Sequence, residues 1–108
     1  MATLDTATLS TIVNQCFANS TNSQFSSQDR NNFLVEGKRL RGQLLNLLSA
    51  QFNAGTPALT AANNALAKVN GDLSNNATVL ANTAQTLNDI SSLVSNLDKL
   101  LPLAASFV

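Results

Sequence analysis

The sequence predicts an all-α fold: an antiparallel helical hairpin, its second arm very long, preceded by a shorter N-terminal helix in one 108-residue domain. Three observations carry this. Leucine or valine recurs every seventh residue through the C-terminal half, as in a coiled-coil seam. A second apolar stripe at helical spacing precedes it, and only the short turn "NAGT" lies between the two. Residues that start and stop helices stand at the ends of each stripe.

The first helix is expected over about residues 3 to 19. Leu9, Ile12, Val13, Cys16 and Phe17 follow the i, i+3, i+4, i+7, i+8 pattern, with Thr3 or Asp5 as the start. Residues 20–26 read as a polar loop whose Asn and Ser favour side chain to backbone turns, Phe25 being its one apolar residue. The second helix, about 27–53, opens with Ser26 three residues before Asp29, in the manner of a capping box. Its stripe is Phe33, Gly37, Leu40, Leu44, Leu48 and Phe52, widened by Leu34, Leu45 and Leu47. Gly55 takes the place of a C-terminal cap.

The third helix is expected over about 57–101. Thr56 and Pro57 mark its start, Lys99 suits its C-terminal end and Pro102 stops it. Leu59, Leu66, Leu73, Leu80, Leu87, Val94 and Leu101 hold one heptad position; Ala62, Val69, Asn76, Thr83, Ile90 and Leu97 hold the other. Asn76 and Thr83 form a polar layer that either pins the register of a buried seam or lies where the seam widens to water. Gly71 is the one weak point inside the element, with a cost of about 1 kcal/mol relative to alanine. At 1.5 Å per residue the helix would be about 68 Å long. The apolar tail, 102–108, reads as a plug over the end of the bundle.

A short turn makes helices two and three antiparallel neighbours, pairing Phe52 with Leu59, Leu44 with Leu66, Leu40 with Val69 and Gly37 with Leu73. Arg41 then falls near Asp72, as a partly buried ion pair or with its stem along the seam and its head in water. Helix two ends opposite Thr83, so the stripe Leu80, Leu87, Ile90, Val94, Leu97 and Leu101 needs another cover. Helix one or a second copy of the chain supplies it.

Composition narrows function. Six basic and six acidic residues give zero net charge, and only 11% of the chain is charged, against about 25% in an average domain. Repulsion between copies is therefore weak, and a large electrostatic footprint for nucleic acid or anionic lipid is missing. There is no histidine, hence neither Ser-His nor Cys-His chemistry. Cys16, the single cysteine, lies on the apolar stripe of helix one and reads as a small core residue. Asp5, Asp29, Glu36, Asp72, Asp89 and Asp98 are scattered, without metal-ligand or acid/base spacing. The expectation is a non-catalytic protein, with no metal, cofactor or small-molecule substrate. Arg30, Lys38, Arg39 and Arg41 point around helix two with Glu36 among them, a solvated surface rather than a phosphate cluster.

The preferred functional class is interaction or assembly, with a second copy or a partner helix on the seam. The runner-up is a membrane-active protein whose hairpin or apolar tail inserts. The N-terminus lacks a secretory signal and no segment reads as a transmembrane span; the expected location is cytoplasmic, or exported by a signal-independent route. The stretch "ANSTNSQ", 18–24, resembles a loop of bacterial flagellins, and the low-charge helices are similar in style to flagellin and secretion-needle subunits. That resemblance implies an exported or filamentous assembly and assigns no residue a role.

Overall fold

Local residues mark where the first helices begin. The computed structural model describes residues 1–108. Asp5 caps α1 (Thr6–Ser20), accepting from the Thr8 N–H at 3.1 Å and from the Thr8 hydroxyl at 2.6 Å. Ser26 caps α2 (Ser27–Leu47) through the Asp29 N–H at 3.1 Å. Pro57 opens α3 (Pro57–Leu73), where its missing N–H costs nothing. The chain is all-α in its main elements, as the stripes require.

The 57–101 rod, however, is three helices. α3 ends at Leu73, a short α4 spans Asn76–Ala81, and α5 spans Thr83–Asp98. Side-chain competition for backbone groups is the cause. The Ser74 hydroxyl donates to the Gly71 carbonyl at 2.7 Å, and Asn75 Oδ1 accepts from the N–H groups of Ala77 (3.0 Å) and Thr78 (3.3 Å). Asn75 thus starts a new helix instead of continuing the old one. A second break follows at Asn82, whose N–H donates to the carbonyls of Thr78 and Val79.

The break reverses the chain and shifts the phase of the stripe. In α3 the heptad holds: Leu59, Ala62, Leu66, Val69 and Leu73 are all buried. Beyond it the buried residues are Val79, Thr86, Ile90, Leu93, Leu97 and Leu100. The seven-residue repeat survives, but Val79, Thr86 and Leu93 each stand one residue before Leu80, Leu87 and Val94. Those three are only half-buried on the flank of the core. A one-residue slip turns a helix face by about 100°, enough to exchange a seam position for its neighbour.

The expected pairing of helices two and three is also absent. α1 packs on α2 and α3, α5 packs on α2 and α3, and α2 and α3 lie across the diagonal of a four-helix bundle. α2 stops at Leu47 rather than at 53 because the following residues are extended. Strand β1 (Ala50–Gln51) pairs antiparallel with β2 (Ser106–Phe107), and Phe52 exchanges two backbone bonds with Ala2, at 2.7 and 2.8 Å. A short 3-10 turn, Leu101–Leu103, leads from α5 to β2. The link from α2 to α3 is therefore an extended crossing that carries both chain termini on its flanks. Gly55 belongs to the turn that ends this crossing, at φ +83°, and is not a helix cap.

Helix one covers the core within the same chain. Gly37 of α2, expected opposite Leu73, meets α1 instead: a Cβ there would lie 3.1 Å from Cys16 Cβ and 3.2 Å from the Phe17 ring. Phe25, the apolar residue of the polar loop, is buried against Phe33 with ring centroids 5.1 Å apart. One cluster of 21 buried residues fills the bundle, which measures 42 × 19 × 19 Å. That length falls well short of a 68 Å rod.

Two glycines test this packing in opposite directions. Gly37→Val forces Cys16 and Phe17 aside and lowers the unfolding free energy by about 1–3 kcal/mol. Gly42→Ala, in the same helix with nothing within 4 Å, raises it by about 0.5–1 kcal/mol. Urea unfolding monitored by circular dichroism measures both.

Candidate functional site

The residues expected to form an intermolecular seam are divided by the fold. Ile90 and Leu97 are fully buried, Leu80, Leu87 and Val94 are half-buried against the same core, and Leu101 is exposed on the 3-10 turn. Most of the stripe is therefore used within one chain. Asn76 is exposed, and its amide donates to Gln24 Oε1 at 3.2 Å, tying the start of α4 to the loop between α1 and α2. Thr83 is half-buried and its hydroxyl donates to the Val79 carbonyl at 2.9 Å. Neither makes a buried polar layer. The buried polar residue of α5 is Thr86, which the slipped phase turns inward.

The expected Arg41–Asp72 pair does not form. Arg41 is exposed because the face it occupies on α2 looks away from α3. Asp72 instead meets Asp89 of α5, carboxyl to carboxyl. Lys68 Nζ stands 3.5 Å from Asp89 Oδ1 and the Gln85 amide donates to the same oxygen at 3.0 Å. Burial, then the hydrogen bond and charge of Asp89, pushes the Asp72 carboxyl up to about 6, with Lys68 opposing. The bond from Asp72, with help from Gln85 and Lys68, holds Asp89 below the usual range against its own burial.

Cys16 is buried, and burial with the nearby Glu36 charge pushes its thiol up to about 12. A thiol held protonated in this way is a packing group. Glu36 makes its ion pair along its own helix with Arg39, at 3.1 Å. The only concavity is a shallow depression on α1 beside Thr11, Asn14, Gln15 and Ala18.

The surface that stands out lies at the end of the bundle where α2 and α5 finish. Leu45 of α2 and Leu48, which caps its end, are 65% and 61% exposed, and Leu103 and Phe107 are 49% and 58% exposed. Five contacts gather these residues at one end. Gln43 bonds the Val94 carbonyl at 2.9 Å and Asp98 at 2.6 Å, so the last turns of α2 and α5 lie side by side. Ala105 N–H donates to Gln51 O at 2.7 Å, and Val108 N–H to Ser49 O at 2.9 Å. Phe107 stands opposite Ala50 in the two-stranded sheet.

Sequence reasoning placed Leu45 and Leu48 on the core stripe and read the tail as a plug. The signal against this was the doublet pattern "QLLNLL". Adjacent residues are about 100° apart on a helix, so one leucine of each doublet faces inward. Leu44 packs on the core and Leu47 is buried, while Leu45 and Leu48 face solvent. The tail lies along the base through backbone pairing and leaves its apolar side chains outside.

The division of the stripe has a measurable consequence. Ile90→Ala and Leu97→Ala each lower monomer stability by about 2–5 kcal/mol, whereas Leu101→Ala changes it by about 0.5 kcal/mol or less; thermal unfolding at high dilution separates the two groups. In comparisons with known proteins, the chain matches no family model, no curated protein and no solved structure.

Proposed function

We propose that this protein is a non-catalytic interaction module that binds through the apolar base of its bundle, with a second copy of the chain as the preferred partner. The observation that supports the reading is the cluster of large apolar side chains left outside at one end: Leu45, Leu48, Leu101, Leu103, Phe107 and Val108. Scattered apolar residues are ordinary on a protein surface, but several gathered on one face mark a contact region. Of the heptad stripe, taken up largely by the core, only Leu101 lies on this surface.

Two features favour a copy of the same chain. Formal net charge is zero and charged residues are few, so two copies approach with little long-range repulsion. The outer side of β2 is a free strand edge, and such an edge accepts a second strand. A two-fold arrangement would set one Phe107 beside its counterpart, with Leu45 and Leu48 closing over the sides.

A second reading takes the same surface as an interfacial membrane anchor, favoured by the exposed tail residues Leu101, Leu103, Phe107 and Val108. No helix of the structure is long and apolar enough to cross a membrane, so such binding would be at the surface only.

Light scattering after size exclusion, over a concentration series, tests the preferred reading. The expected result is a dimer or higher species that the double substitution Leu48→Lys, Phe107→Asp converts to monomer without loss of helical circular dichroism. A monomer at every concentration up to about 1 mM, where association is worth only about 4 kcal/mol, overturns it. Sedimentation of that monomer with phosphatidylcholine vesicles would move the assignment to the second reading.

A further inference from the structure

The C-terminal segment is held to the bundle almost entirely through its backbone. Leu100 is the last buried residue; none of residues 101–108 is buried, and only Ala104 is partly covered by the core. The Ala105 N–H donates to the Gln51 carbonyl at 2.7 Å and the Val108 N–H to the Ser49 carbonyl at 2.9 Å. Ser106 and Phe107 stand opposite Gln51 and Ala50 in the antiparallel pair. The one side-chain hydrogen bond of the segment, from the Ser106 hydroxyl to Gln51 Oε1, is long at 3.5 Å.

Such a seat reads backbone direction and spacing rather than a particular side chain. Any copy of residues 104–108 that reaches β1 in the same direction makes the same bonds. The other side of the crossing is taken, because Phe52 is engaged with Ala2. A chain that releases its own tail leaves the Ser49 and Gln51 carbonyls without their donors, and a strand with the same spacing of N–H groups restores them.

We propose that two copies of the chain join by exchanging C-terminal arms, β2 of each pairing with β1 of the other in the register that one chain uses. The inference rests on the reading of the base as the contact for a second copy, and it names how that contact is made.

Three features favour exchange. The arm is dispensable to the core, since its withdrawal uncovers no buried side chain and disturbs only Ala104. The hinge is short and local: the turn Leu101–Leu103 is closed by the Leu103 N–H on the Leu100 carbonyl at 2.8 Å and the Ala104 N–H on the Leu101 carbonyl at 3.2 Å. Leu101 precedes Pro102, and a residue before proline favours extended backbone, the form of an outstretched arm. Reach is sufficient as well. Residues 101–108, drawn out, span about 26 Å, more than the 19 Å width of the bundle.

The pairing itself is neutral in this exchange, because each bond lost at one β1 is remade at the other. The balance is tipped by the apolar side chains of the two bases. Leu45, Leu48, Leu101 and Leu103 of each copy, exposed in a single chain, leave water when the arms draw the bases together. Each chain gives one arm and holds one seat, so a closed pair fills every seat, whereas an open row leaves one empty at its end. The expected assembly is therefore a dimer.

Disulfide trapping between singly substituted chains tests this. Gln51→Cys and Ser106→Cys put thiols on facing residues of the paired strands, and the native Cys16 is buried away from them. The two variants are mixed at about 1 mM, equilibrated and oxidised. The expected product is a linked pair of one Gln51→Cys chain and one Ser106→Cys chain, identified by mass spectrometry and lost on high dilution before oxidation. Linked pairs of two Ser106→Cys chains, with no link from 51 to 106, would mean pairing at the outer edge of β2; that overturns the exchange and leaves the base reading standing. Both substitutions in one chain, oxidised at about 1 µM, lock the arm on its own β1. The locked chain should dimerise at least about tenfold more weakly than the same chain after reduction. Equal dimerisation of the two forms overturns the exchange alone, and a native chain that is monomeric at every concentration overturns it together with the base reading.

Discussion

The fold depends on the reversal at Ser74, Asn75 and Asn76, because it lets one chain bury both halves of its own stripe. As a straight helix, the segment from Pro57 to Leu101 would leave about half of its apolar residues without cover. Folding back buries Ile90, Leu93, Leu97 and Leu100 completely or nearly so, and each such side chain is worth about 1.5–3 kcal/mol. Interrupting the helix forfeits a few backbone hydrogen bonds, each worth about 1 kcal/mol net. Asn75 recovers two of them by capping α4. Burial wins by a wide margin, and the bundle is its result.

A second constraint acts at the opposite end. The crossing from α2 to α3 must traverse the diagonal, and an extended crossing has backbone groups to satisfy. Ala2 satisfies those of Phe52, and residues 105 to 108 satisfy those of Ser49 and Gln51. The two chain ends are thus held by the same short segment. This explains why the tail lies along the base instead of entering it: its backbone is committed to β1, and Leu100, not the tail, closes the core. The exposed apolar side chains at the base follow from that commitment together with the leucine doublets of α2.

Much of this was legible in the residues. The helix starts at Ser26 and Pro57, the buried faces of α1 and α3, and the structural role of Cys16 all follow from spacing and capping chemistry, while the first helix start was narrowed to Thr3 or Asp5, of which Asp5 is the cap. The repeat beyond Leu73 was legible too, but its phase was not. A period of seven fits Leu80, Leu87 and Val94 as well as Val79, Thr86 and Leu93, and only the location of the break decides between them. Asn75 held that information. An Asn is equally compatible with a polar layer inside a coiled coil and with the cap of a new helix, and tertiary burial selects the cap. The Asp72–Asp89 contact was beyond reach for the same reason, since it exists only because α5 returns along α3. Arg41 was assigned to Asp72 through a pairing of helices two and three that the diagonal crossing forbids.

Scarcity of charge gives the remaining ionic contacts unusual weight. In a chain with six acids and six bases, an extra proton or an extra carboxylate at one interface is not lost in a dense field of opposing charges. Beside Asp72 and Asp89 the helices α1 and α4 carry no charge, and the cation at ion-pair distance is Lys68, 3.5 Å from Asp89. At the base the charges beside the leucines and Phe107 are few: Asp98 and Lys99 at the end of α5. α5 carries the Lys68–Asp89 contact at its middle and the base at its C-terminal end, and Ile90, Leu93 and Leu97 lock the stretch between them in the core, so the base is held by burial rather than by charge.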